Sequence, residues 1–91
     1  MDTAEQQRVG AVGVLPEVRE VRLGESGIVD QSLHDARIRE RFGVTIVAIS
    51  RPDGIVLNPP AETILRPGDT VRVFGLPDQI DAFLAATGDR L

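Results

Sequence analysis

The sequence predicts an α+β fold: a small βαβββα domain with a mostly antiparallel sheet packed by helices. Three observations carry this. Val44-Thr45-Ile46-Val47-Ala48-Ile49 is β-branched and nearly all apolar, the pattern of a central strand buried on both faces. Arg51-Pro52-Asp53-Gly54 is a strong turn signal, and Ile55-Val56-Leu57 follows it, so the two runs read as a hairpin. Ile80, Phe83, Leu84 and Thr87 recur at i, i+3, i+4 and i+7, one face of a closing helix.

The remaining elements follow in chain order. Gly10 and Gly13 weaken any regular element, so residues 1–15 read as a flexible arm. Glu17 to Leu23 alternates, with Arg19, Val21 and Leu23 on one face of an extended chain. Gly24-Glu25-Ser26-Gly27 is a turn. Ser32 is a candidate N-cap, with Asp35 three positions on, for a helix from Leu33 to about Arg41. Gly43 is placed to end that helix in a left-handed conformation. Asn58-Pro59-Pro60 breaks the pattern, and Thr63-Ile64-Leu65 is a short buried connection. Arg66-Pro67-Gly68-Asp69 turns into a strand, Thr70 to Phe74. Pro77 suits the first position of the last helix, Gly88 closes it, and residues 89–91 form a tail.

Composition narrows the function. The 91 residues make one domain near the lower end of what folds unaided. With Phe42, Phe74 and Phe83 the only aromatics, the core is thin, and dimerisation is expected to support it. The absence of cysteine excludes disulfides and thiolate metal sites. No apolar run approaches a membrane span, and Met1-Asp2-Thr3-Ala4-Glu5 lacks the blocks of a signal peptide, so a cytoplasmic protein without direct membrane insertion is expected. A net charge of −4 argues against binding a nucleic-acid polymer.

No catalytic set emerges, and the expectation is of a protein that is not an enzyme. His34 is the lone histidine, Ser26 and Ser32 lack nucleophile context, and no lysine exists to complete a phosphate loop. Metal and enzyme cofactors are not expected. Arg37, Arg39 and Arg41 crowd five residues before the central strand. They form either a solvated face, salted by Asp35 and Glu40, or an anion site, for which the planar guanidinium fork is suited. Pro59-Pro60 is a rigid turn that also offers a flat apolar wall.

Gly27-Ile28-Val29-Asp30-Gln31-Ser32-Leu33 and Ile38-Arg39-Glu40-Arg41-Phe42-Gly43-Val44-Thr45-Ile46-Val47-Ala48-Ile49 resemble the RCK C-terminal (TrkA-C) domain family. So does Asn58-Pro59-Pro60-Ala61-Glu62-Thr63-Ile64-Leu65-Arg66-Pro67-Gly68-Asp69-Thr70-Val71, with the strand into Gly75 and the last helix. The similarity covers about residues 17 to 87, within a domain bounded at 16–88. The Pro-Gly-Asp turn and the Arg-Phe-Gly-Val junction are together its most specific parts. Asp30, where the family often has Gly, and Ser50, where it often has a basic residue, depart from the pattern.

The resemblance implies a regulatory domain that sits on or beside potassium channels, potassium uptake systems or cation/proton antiporters, and that forms two-fold dimers. In some members the dimer interface binds cyclic di-AMP. There, an Arg at the position of Arg39 contacts phosphate, a polar residue (often Asn) at the position of Thr45 meets the adenine, and apolar residues near Leu33 and Pro60 line the base. The candidate ligand-binding set is then Leu33, His34, Arg39, Arg41, Val44, Thr45, Ile46, Pro59 and Pro60. The nucleotide-binding half of full-length RCK proteins is not in this sequence, so NAD or ATP binding is not implied. The expected partners are a second copy, a membrane cation transporter or antiporter subunit at the inner membrane, and a cyclic dinucleotide. The alternative is a structural dimerisation module without a small-molecule ligand.

Overall fold

The computed structural model describes residues 14–25 and 27–88. Apart from the exposed Val14 and Leu15, the expected arm and tail lie outside the described residues. The elements run β1 (Glu17–Arg22), α1 (Leu33–Ala36), α2 (Ile38–Phe42), β2 (Thr45–Arg51), β3 (Gly54–Leu57), β4 (Thr70–Gly75) and α3 (Pro77–Thr87). The strands form one antiparallel sheet in the order β1-β4-β2-β3.

The expected central strand is β2, flanked by β4 and β3, but it begins at Thr45 rather than Val44. It also carries a bulge. Ile46 faces Val73 on β4, Ala48 faces Arg72, and Ile49 faces Val71, so Val47 is the extra residue. Val71 and Val73 share a face, and the bulge therefore brings Ile46 and Ile49 onto that same face. This is why the apolar run shows no period of two. The Val47 carbonyl accepts from the Asn58 amide at 2.9 Å, which fixes the exit from β3.

The helices cover one face of the sheet. Val21, Ile46, Ile49, Val71 and Val73 meet Ala36, Ile38, Ile80 and Phe83 in one buried cluster. Phe83 packs edge-on against Phe42, with ring centroids 5.4 Å apart. The opposite face, bearing Val18, Phe74, Ile55 and Leu57, is exposed, so β2 is central in the sheet but is not covered on both faces as expected.

Three further expectations need correction. Of the connection read as buried, Thr63-Ile64-Leu65, only Leu65 is buried, and Ile64 is exposed. The helix over Leu33 to Arg41 is two short helices, because Arg37 adopts a left-handed conformation, φ 54° and ψ 46°, between them. An Arg there opposes its intrinsic preference, and tertiary packing of Ala36 and Ile38 on either side overrides it. Leu84 is 41% exposed rather than core. The helix contacts the sheet along the narrower stripe of Ile80, Phe83 and Thr87, and Leu84 turns out over Gly88, where a Cβ would collide with it. Gly43 does end α2 with a left-handed φ of 76°, and a Cβ there would lie 2.6 Å from the Gln79 side chain. Asp30 is likewise left-handed, φ 71°, which gives a backbone reason for glycine at that position and for Asp as its tolerated substitute.

Two stability measurements check this account. Phe83→Ala should cost about 3–5 kcal/mol in urea unfolding, since the ring is fully buried. Arg37→Gly should instead stabilise the domain by about 0.5–1 kcal/mol, the relief of left-handed strain being partly offset by glycine's greater unfolded-state freedom.

Candidate functional site

The connection from Asn58 to Asp69 runs back across the front of α1, and the site lies where they meet. Ser32 caps α1, its Oγ accepting from the Asp35 amide at 3.0 Å. Ser32 also bridges Ile64, and the Leu33 and His34 amides each donate at 3.0 Å to the Thr63 and Ala61 carbonyls. The helix start and the connection are thereby sewn together. Asn58, with φ 47°, turns the chain so that Pro59 comes up beside them.

One residue anchors the far end of this connection. The buried Asp69 carboxylate accepts from Arg51 Nε and Nη2, both at 3.0 Å, and from the Arg66 amide at 3.0 Å. Arg51 Nη2 also donates to the Ile64 carbonyl. The hydrogen bonds to Asp69 raise the Arg51 pKa above its ordinary value, against the opposing effect of burial.

Between α1, α2, the start of β2 and the connection lies a cavity of about 350 Å³. Ile38, Val44 and Ile46 supply a buried apolar floor, with half-buried Leu33 and Pro59 as walls. The exposed rim carries His34, Arg39, Glu40, Thr45 and Ala61. Elsewhere, Arg19 and Arg72 pair with carboxylates, as Arg51 does. Among the described residues, the Arg39 guanidinium makes no hydrogen bond or ion pair, and nor does the His34 imidazole. An apolar cavity with a cationic fork and a hydroxyl at its mouth is suited to a ligand with a flat apolar part and an anionic part.

Of the residues singled out in the sequence, Leu33, His34, Arg39, Val44, Thr45, Ile46 and Pro59 line this cavity, and Arg41 and Pro60 do not. Arg41 lies over the Phe42 ring, 5.0 Å from its centroid, and donates to the Ala36 carbonyl at 3.4 Å. Arg37 sits in a separate depression with His34, Asp35 and Glu40, so the three arginines diverge. Ile38, Glu40 and Ala61 line the cavity without having been anticipated. Their only sequence signal is adjacency to Arg39 and to Pro59-Pro60. No cluster able to hold a metal exists among the described residues, and no described helix is long and apolar enough to cross a membrane.

These features define a small α+β domain built on a four-stranded antiparallel sheet, with a cavity beside its first two helices. The family model for the TrkA-C domain matches residues 18–88, and the chain belongs to that family. Potassium channel protein 1 of Methanocaldococcus jannaschii is 32% identical over 65 residues, which is 71% of this chain and 20% of the channel protein. The chain thus spans about a fifth of the length of this curated relative. The RCK C domain of the potassium transport protein KtrA, solved with cyclic di-AMP, superposes with a TM-score of 0.70 at 26% identity, covering 77% of this chain and 81% of that one. The RCK_C domain dimer of S. agalactiae BusR, also with cyclic di-AMP, gives 0.71 at 21%, covering 76% and 86%. BusR on its busAB promoter DNA gives 0.72 at 20%, covering 91% and 41%. The fold therefore also occurs in a DNA-bound protein, and the charge argument against nucleic acid speaks only for the surface of this chain.

Removing the anchor tests how the site is held. Asp69→Ala leaves the half-buried Arg51 guanidinium with the Ile64 carbonyl but without its carboxylate, and the Arg66 amide without its acceptor, and should cost about 3 kcal/mol in urea unfolding. Hydrogen-exchange protection at the Leu33 and His34 amides should fall with it, because their acceptors lie on the released connection. A loss under about 1 kcal/mol with protection unchanged would show that the connection is held some other way.

Proposed function

We propose that this domain is the ligand-sensing regulatory part of a potassium or cation transport system, that it works as a homodimer in the cytoplasm beside its transporter, and that it binds cyclic di-AMP. The observation that carries the reading is the unpaired Arg39 guanidinium at the mouth of an apolar cavity. The potassium-channel relative and the cyclic di-AMP complex of KtrA support it.

Symmetry favours this ligand. Cyclic di-AMP is two-fold symmetric and carries two phosphates. A cavity of about 350 Å³ is near the lower end for small-molecule sites, which suits half of such a ligand. Two cavities facing across a two-fold axis present each residue twice. Arg39 of each protomer then neutralises one phosphate, while Leu33, Ile46 and Pro59 flank one adenine and the Thr45 hydroxyl meets its polar edge. The domain senses and transmits rather than catalyses, and its acidic surface is not offered to a nucleic-acid polymer.

A second reading has one observation in its favour. Glu40 lines the same cavity as Arg39, and across a dimer interface the two would form ion pairs without any ligand. The domain would then be a structural dimerisation module.

Titration calorimetry separates the two readings. The first gives one cyclic di-AMP per two chains, with Arg39→Ala weakening binding more than about tenfold, since each dimer loses two charge-assisted contacts. Arg72→Ala, at a surface pair with Glu20 outside the cavity, should change little. No heat at tens of micromolar protein, with a dimer still present in sedimentation, would select the structural module instead.

A further inference from the structure

We propose that His34 makes ligand binding at this cavity proton-dependent, so that the affinity for a phosphate-bearing ligand rises as pH falls. The inference rests on the cyclic-dinucleotide reading and adds a second input to it.

His34 lines the same cavity as Arg39, on the exposed rim rather than the apolar floor. Its backbone is held, because its amide donates to the Ala61 carbonyl. Its imidazole has no partner among the described residues, so the ring is available to a ligand. Histidine is the residue type that changes charge between pH 5 and 8, and as a cation it donates from both ring nitrogens.

The charged groups around it set the sign. On its own helix Asp35 follows it, Arg37 and Glu40 share a depression with it, and Arg39 and Glu40 share the cavity. The connection packed against α1 carries one charged side chain between Asn58 and Leu65, Glu62, and the start of β2 contributes the uncharged Thr45. Without ligand, the cations Arg37 and Arg39 are opposed by Asp35, Glu40 and Glu62. A bound dianion adds two negative charges on the cavity side only. Binding therefore favours the imidazolium, and by reciprocity the imidazolium favours binding. A two-fold dimer places two such histidines around one ligand.

The test measures cyclic di-AMP binding by calorimetry from pH 8 to pH 6, for the whole chain and for His34→Gln, which keeps a hydrogen-bonding side chain without the charge. The wild type should bind about tenfold tighter at pH 6 than at pH 8. The variant should lose most of that dependence, whatever its affinity at pH 8. Runs of the wild type in buffers of different ionisation enthalpy should show net proton uptake on binding, a readout that holds even if the variant folds poorly. Binding that does not vary with pH, or that varies equally in both proteins, overturns the role of His34 and leaves the ligand assignment standing. No binding at any pH overturns both.

Discussion

Asp69 ties three parts of the chain to one point. Its carboxylate takes the Arg51 fork from the end of β2 and the Arg66 amide from its own turn. Its carbonyl accepts from the Leu23 amide just past β1 at 2.8 Å. A buried ion pair of this kind adds little net stability, because desolvation offsets most of the attraction, yet losing one partner is expensive. Its effect is one of position. The twelve-residue return from Asn58 to Asp69 carries almost no regular structure, and it lies in one place because both of its ends are held: by Asn58 on the bulged Val47 carbonyl and by Asp69 on Arg51.

The cavity is a consequence of that placement. A sheet with helices on one face is complete without it. The return segment folds over the front of α1, and its carbonyls at Ala61 and Thr63 occupy the amides of the first helical turn. Among the described residues, three non-glycines with positive φ, Asp30, Arg37 and Asn58, mark the points where the backbone bends to make this arrangement. The bend at Arg37 has a direct effect on chemistry. It divides α1 from α2, so Arg39 reaches the cavity mouth while Arg41 is drawn onto Phe42 and Arg37 faces a separate depression.

Local physics explains which features could be read from the residues. The two tight turns, the Gly43 cap and the apolar face of α3 each depend on near neighbours in sequence, and all are present, although Leu84 leaves the predicted face of Ile80, Phe83, Leu84 and Thr87. The bulge at Val47 is hidden inside an unbroken apolar run that has no periodicity to disturb. The break at Arg37 is hidden because no local rule favours arginine in a left-handed conformation. The Arg51–Asp69 pair spans eighteen residues, so the Pro-Gly-Asp motif reads as a turn while its longer-range work stays invisible. At the site, the family resemblance pointed to Leu33, Arg39, Thr45 and Pro60, whereas Pro59 lines the cavity. Which proline lines the cavity, and that Ile38 and Ala61 join it, depends on how the return segment lies on α1, which no local signal encodes.

The central claim is that the cavity between α1, α2 and the return segment is a half-site for a two-fold dinucleotide. Amide chemical shifts of the ¹⁵N-labelled protein, followed while cyclic di-AMP is added, test it most directly. The account predicts saturation at half an equivalent per chain, with the largest changes at Leu33, Arg39, Thr45, Ile46 and Ala61. Changes centred on the exposed sheet face at Val18, Ile55 and Phe74, or a spectrum unmoved by millimolar ligand, would contradict it.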